Sequence, residues 1–500
     1  MSTRKIDEKR LVETVPAEPD ADPTYLEETA RLDQRAPVGG GKRPDATGEI
    51  ARFVSETRFE DLDASTVEHL KRLILDGVAN AVGGLRTTAS RIQHGIMSEL
   101  GTEPVARILG SGERASLLTA TYVNAACANA LDFDDTYKTF LHPGATAVAP
   151  SLAVAEKLSA HGRNVLAAVA VGYEVPIRVA EAAFPSPHRL RQVWGFASWQ
   201  TLGAAAATAN LLRLDTETTR HALGAAAFNA PVPSVRKEGL EPEDRPLSWA
   251  KNNYGWAAMG GVLGAMLAHD GFRSSRTVLD GDRGFWVMAG SDQFDAELLT
   301  AGLGDEFRLQ LTQVKPYASC RWTHAALDCI RQLRRDGKLP ALVDIDRIEV
   351  HTFRELASNF TNAAPEDIVD AQFSLPYLLA LELAARTPAR GLHESDLTDP
   401  AILDLATRIA VHHDEAMEVS FYSGHMPSRI ICHRRAGDAV AATVPDPVWG
   451  TPADPFTDND LMAKCTALLE PVWGRAPARK LIDGILHLEQ VIDLATILPG

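Results

Sequence analysis

Between residues 142 and 269 the chain is built largely from alanine-rich stretches, 142–160, 164–183, 200–213, 217–228 and 255–269, each reading as a helix. The earlier segment TVEHLKRLILDGVANAV (66–82) shows the underlying pattern most plainly. Val67, Leu70, Leu73, Ile74 and Val78 recur at three- and four-residue steps and so share one helix face. Hydrophobic residues make up 45% of the chain but aromatic residues only 6%, so the core has to be assembled from Ala, Leu and Val. Side chains that short let helices approach closely, which favours helix-on-helix packing over a β-sandwich. The expectation is a helical body from about residue 47 to about 310.

The pattern changes after 310. DIDRIEVHTF (344–353) alternates as a strand does, and RIICHRRAGDAVAATVP (429–445) reads as two strands turning at Ala436, Gly437 and Asp438. Helices at 322–337 and 371–386 lie among these strands, which makes 311–445 an α+β unit. From 446 the chain returns to helix, with DNDLMAKCTALLE opening on an Asp/Asn cap. Residues 1–46, low in hydrophobicity and ending in APVGGGKRPDATGE, read as a flexible arm. The charged, Pro-containing connection 233–253 is either a mobile loop or a site wall.

A formal charge of −16 argues against nucleic acid or an anionic membrane surface as a partner. It also means that an anionic ligand needs local cations. The five cysteines (127, 320, 329, 432, 465) are scattered and odd in number, a reduced-compartment pattern without zinc or iron–sulfur spacing. The N-terminal residues lack an apolar run of the secretory kind, and no stretch has membrane-span length. A soluble, cytoplasmic protein is expected.

Chemistry concentrates at Asp132, Asp134, Asp135 and Thr136, followed by His142, Pro143 and Gly144. The cluster follows a small-residue helix, TYVNAACANALDF (121–133). If the helix continues, Asp132 and Thr136 share a face, and the Pro-Gly pair beyond them breaks it and aims His142 inward. Read alone, the stretch fits an N-capping aspartate with a solvated loop as well as it fits a site. His412, His413, Glu349 and His351 fall on predicted strands without a third ligand at suitable spacing and read as surface residues.

The motif LDFDDT with its downstream HPG resembles the MmgE/PrpD family, which includes 2-methylcitrate dehydratases, cis-aconitate decarboxylases and iminodisuccinate epimerases. Further similar segments follow in order: 50–84, GYEVPIRVAEA (172–182), LDGDRGF (279–285), KPYASCRWTHAALDCI (315–330), DAQFSLPYLLA (370–380) and DPFTDNDLMAK (454–464). The resemblance spans roughly residues 47 to 500. It implies a mainly α protein, with a large all-helical domain (47–310 plus 446–500) and the smaller α+β unit (311–445) inserted as a lid. It also implies a cofactor-independent lyase, metal-free and commonly dimeric, acting on a small di- or tricarboxylate. Hydro-lyase chemistry is the preferred reading, with epimerisation and cis-aconitate-type decarboxylation as alternatives and a non-catalytic member a further one.

By the same resemblance His142 and Lys315 are the proton-transfer candidates, Asp132 orients His142, and Tyr377 serves the leaving group. Thr136, Lys251 and Arg321 bind substrate. Thr323 and His324 look like a helix opening, which assigns His324 to capping. One departure stands out: decarboxylase-like members carry Phe-His-Pro where this chain has Phe196, Ala197 and Ser198. Trp199 is expected to fill the space of the lost imidazole, which turns the reading away from cis-aconitate.

Overall fold

The computed structural model describes residues 45–101, 103–138, 141–190, 192–235, 240–249, 253–386, 391–447, 449–450 and 454–499. The expected N-terminal arm lies, up to residue 44, outside them. Residues 45–500 form one compact unit, and it is mainly α, as its short-side-chain composition requires.

The helical body is built from α1 (Ala64–Gly84), α2 (Leu117–Asn129), α3 (Pro143–Leu158), α4 (Gly162–Ala182), α5 (Phe196–Leu211), α6 (Thr216–Phe228) and α7 (Tyr254–His269). At its centre α5 packs against α3, α4, α6 and α7, and α2 against α1, α3 and α7. Absent side chains are what allow these approaches. A Cβ on Gly203 would lie 2.5 Å from the Gly172 carbonyl oxygen, and one on Gly261 would lie 2.4 Å from that of Thr201. Ala204 to Ala207 are completely buried at the same seam.

The α+β segment contains α8 (His324–Arg335), β1 (Ile345–Thr352), α9 (Leu375–Leu383), β2 (Ile409–His413), β3 (Ser428–Arg434) and β4 (Ala439–Val444). The sheet order is β4-β3-β1-β2; the first two pairings are antiparallel and β1/β2 is parallel. Both the alternating strand at 344–353 and the hairpin after 429 are present. Ile348 and Val350 point inward while Glu349 and His351 point outward, so the period of two separates core from surface. α8 packs on β3 and β4. The chain then returns through α10 (Asp458–Trp473), whose Thr457/Asp460 capping box starts the helix that packs on α1. No described helix is long and apolar enough to cross a membrane.

Candidate active site

α2 stops at Asn129, and residues 131–135 form an irregular turn rather than more helix. Asp132 and Thr136 therefore do not share a helical face. Asp132 instead adopts left-handed backbone (φ 47°), a conformation that Asp tolerates better than most residues. Thr136 and Tyr137 pair antiparallel with Thr312 and Gln313, and that ladder carries Lys315 to Asp132. Its ammonium donates to Asp132 Oδ1 (2.8 Å) and to the Asp132 carbonyl (2.5 Å), and it is completely buried.

His142 is the N-cap of α3 with Pro143 at the first helical position, so the Pro-Gly pair starts a helix instead of ending one. The reason for Gly144 is close approach: its N–H donates to Asp135 Oδ1 (3.1 Å), and a Cβ there would lie 2.4 Å from that oxygen and 2.8 Å from the Tyr173 hydroxyl. This anchoring puts His142 Nδ1 3.3 Å from Asp134 Oδ1 and Nε2 3.8 Å from Asp132 Oδ1. Asn129 donates to the same Asp134 oxygen (2.9 Å). Asp132, Asp134 and His142 thus converge, with one ligand-type atom of each within 4.8 Å of the others. The sequence groups these residues as one polar cluster without marking them as a ligand set, because their side chains come within reach of one another only once the turn folds. The trio has the donor chemistry of a cation site, but the Lys315 ammonium already lies against Asp132.

Beneath the trio is a second buried pair. Lys464, from α10, lies 2.6 Å from Asp76 of α1 and donates to the carbonyls of Phe133 (2.5 Å) and Lys315 (3.1 Å). Four buried carboxylates (Asp76, Asp132, Asp134, Asp135) thus face two ammonium groups, an excess of negative charge that favours proton uptake. Burial raises Asp76 to about 6 despite Lys464. Burial, with Asp134 and Asp76 nearby, holds Asp135 well above the usual carboxylate range. Tyr173 is pushed up by burial and by Asp135. Tyr254, whose ring centroid is 5.9 Å from that of His142, is pushed up by burial, while the Gln200 amide beside its hydroxyl acts the other way. A cavity of about 290 Å³, lined by Asn129, Ala130, Tyr254 and Gly255 among others, opens next to this group.

The remaining candidates are distributed differently. Thr136 is buried but donates its hydroxyl to the Lys138 carbonyl (3.2 Å). Arg321 is fully buried on another wall, its Nη1 3.0 Å from His324 Nδ1 and its Nη2 donating to Gln313 (2.6 Å); burial lowers it to about 10. Tyr377 is buried in α9, and the charges bearing on its hydroxyl are Asp396, Arg386 and Asp399 rather than the His142 group. Lys251 lies outside the described residues. His324 does not cap α8: its ring faces Arg321 and the Ser319 carbonyl (3.3 Å), and burial holds it well below the usual imidazole range. Ala197 lies in the first turn of α5, one turn before Gln200. Trp199 projects about 200° around the helix from Ala197 and packs edge-on to Phe196, so it does not fill the space beside Ala197. The strand histidines stay at the surface, with His433 3.1 Å from Glu349.

An alanine-rich helical body thus encloses a histidine, two lysines and four carboxylates in one connected group. The MmgE/PrpD N-terminal domain matches residues 48–297 and the MmgE/PrpD C-terminal domain residues 317–490; the chain belongs to the MmgE/PrpD family. It is similar to a cis-aconitate decarboxylase of Aspergillus terreus (strain NIH 2624 / FGSC A1156), 25% identical over 90% of this chain and 95% of the relative. It is 24% identical to the cis-aconitate decarboxylase of Homo sapiens over 91% of this chain and 94% of the relative. The cis-aconitate decarboxylase-like protein oryM of Aspergillus oryzae (strain ATCC 42149 / RIB 40) is 24% identical over 91% and 96%.

Proposed function

We propose that the chain is a cofactor-independent lyase acting on a small di- or tricarboxylate, with His142 moving the proton at the carbon next to a carboxylate. The observation that carries this reading is the placement of His142 between Asp134 and Asp132, with Lys315 on the same Asp132 oxygen. Nδ1 lies on the Asp134 side of the ring, 3.3 Å from Oδ1, which leaves Nε2 as the nitrogen assigned to the substrate. In dehydration Nε2 takes the α-proton, the C–H electrons form the double bond, and the hydroxyl leaves as water once protonated. Nearby donors stabilise the charge that builds on the substrate carboxylate. The α+β segment, as a lid, and Lys251 and Arg321, as carboxylate ligands, belong to this proposal.

Hydration–dehydration is preferred because Ala197 supplies no imidazole where decarboxylase-like members carry one. The second reading is decarboxylation, favoured by the nearly full-length similarity to proteins named cis-aconitate decarboxylase. There the C–C electrons remain on the α-carbon as CO₂ departs, and His142 returns a proton instead of taking one. Epimerisation fits less well. It requires bases on opposite faces of one carbon, whereas His142 and Lys315 converge on the same oxygen of Asp132.

NMR of the purified protein incubated with citrate, 2-methylcitrate and cis-aconitate separates the two leading readings. Water loss from a hydroxy acid supports the first, and CO₂ release from cis-aconitate the second. Inertness toward the whole set would overturn both.

A further inference from the structure

Lys464 reaches the candidate site from α10, near the end of the chain, and its ammonium is shielded from water. An ammonium has three protons to donate. Here they go to Asp76 Oδ1 (2.6 Å), to the Phe133 carbonyl (2.5 Å) and to the Lys315 carbonyl (3.1 Å). The Phe133 ring also packs on the ammonium, its centroid 3.9 Å away. The two carbonyls belong to segments distant in sequence, so one side chain joins two backbones.

That junction lies one residue from Asp132. Asp132 holds left-handed backbone, φ 47°, which a residue with a side chain keeps only where its surroundings over-determine it. The surroundings are two ammonium groups. The Asp132 carbonyl accepts from Lys315 (2.5 Å), and the next carbonyl, that of Phe133, accepts from Lys464. The turn is thus tied to the Lys315 segment twice, once by the Lys315 side chain and once by Lys464, which bonds the main chain on both sides. The Asn80 amide, 3.4 Å from the Phe133 carbonyl, is a longer and weaker hold. Asp76, from α1, balances the charge that this tether brings into the interior.

We propose that Lys464 is a positioning residue of the site: it holds the 131–135 turn against the Lys315 segment, so that the Asp132 carboxylate meets both Lys315 and His142. The proposal rests on the lyase reading, in which those three residues carry the chemistry, and Lys464 acts through them. The helix that closes the helical body is on this account part of the active site.

Lys464→Met alone leaves Asp76 unpaired and puts folding at risk, so the test uses the double variant Asp76→Asn/Lys464→Met, which leaves no charge unpaired. Turnover is measured on whichever of citrate, 2-methylcitrate and cis-aconitate the wild type converts. Misplacing a reacting group by 1 Å costs about 10²-fold, so kcat of the double variant should fall by about that factor while KM stays within about threefold. A merely structural role predicts instead that kcat returns together with the melting temperature. Asp76→Asn alone keeps both carbonyl bonds and should lose less in kcat than the double variant. A crystal structure of the double variant should show Asp132 out of the left-handed region and its carboxylate parted from Lys315. Wild-type kcat in a stable double variant, an equal loss in Asp76→Asn, or an unchanged Asp132–Lys315 contact would overturn the proposal. Failure of the lyase reading has a different signature, turnover that survives His142→Asn or no turnover of any of the three acids, and the crystal structure then decides the role of Lys464 by itself.

Discussion

Lys464→Met removes an ammonium while keeping most of the side chain's volume, and it isolates the electrostatics beneath the candidate site. In the native protein this ammonium is 2.6 Å from Asp76 and shielded from water, being 1% exposed beside a carboxylate that is 0% exposed. Removing one partner of such a pair leaves an uncompensated buried charge and costs about 3–5 kcal/mol. The pH dependence follows from Asp76. Its folded value, about 6, already lies above the ordinary 3.8, so the folded state holds this proton more tightly than the unfolded chain. Carboxylate burial therefore costs nothing below about pH 4 and carries its full cost, about 3 kcal/mol, above about pH 6. Without Lys464 the folded value rises further, so the extra destabilisation must be larger at pH 8 than at pH 5.5. Urea unfolding at both pH values measures it. The double variant Asp76→Asn/Lys464→Met should be more stable than Lys464→Met alone, because no charge is then left unpaired. A cost below about 1 kcal/mol at pH 8, or an equal cost at both pH values, would refute the buried-pair account.

Three further outcomes are expected. Exhaustive chelation should leave turnover intact, because the Lys315 ammonium serves Asp132; activity lost to chelator and restored by one divalent metal would instead assign the Asp132, Asp134 and His142 trio to an ion. Ala197→His should raise cis-aconitate turnover without a compensating change at Trp199, which points elsewhere; a gain requiring Trp199→Thr as well would contradict that placement. Light scattering should return about twice the mass of one chain, because Ile92, Ile96, Phe228 and Trp256 expose 46–68% of their surface and apolar exposure of this kind marks interfaces; a monomer would refute it.

The helical body and the hairpin were legible because each depends on local periodicity. The 3.6-residue pattern of 66–82 became α1, and the two-residue alternation of 344–353 became β1. Much of the site was not legible, because it depends on contacts distant in sequence. Lys315 reaches Asp132 only through the short ladder between 136–137 and 312–313, and Tyr377 and Arg321 turn toward surroundings that no local motif reveals. Two signals were present and missed. Lys464 shares the apolar face of α10 with Leu461, Cys465 and Leu468, and Asp76 interrupts a helix that is buried nearly all round. A charge in such a position needs a partner of opposite sign, so the Asp76–Lys464 pair could have been inferred from the two helices together.

Proton transfer at His142 is tested most directly by hydrogen exchange. The protein is incubated in D₂O with the carboxylate it turns over, and deuterium at the α-carbon is followed by NMR. The wild type should incorporate deuterium at the position where the C–H bond is made or broken. His142→Asn should slow incorporation by about 10²–10⁴-fold, and His324→Asn should change it far less. Incorporation that survives His142→Asn, or falls equally in both variants, would contradict the assignment of His142 as the group that moves the proton.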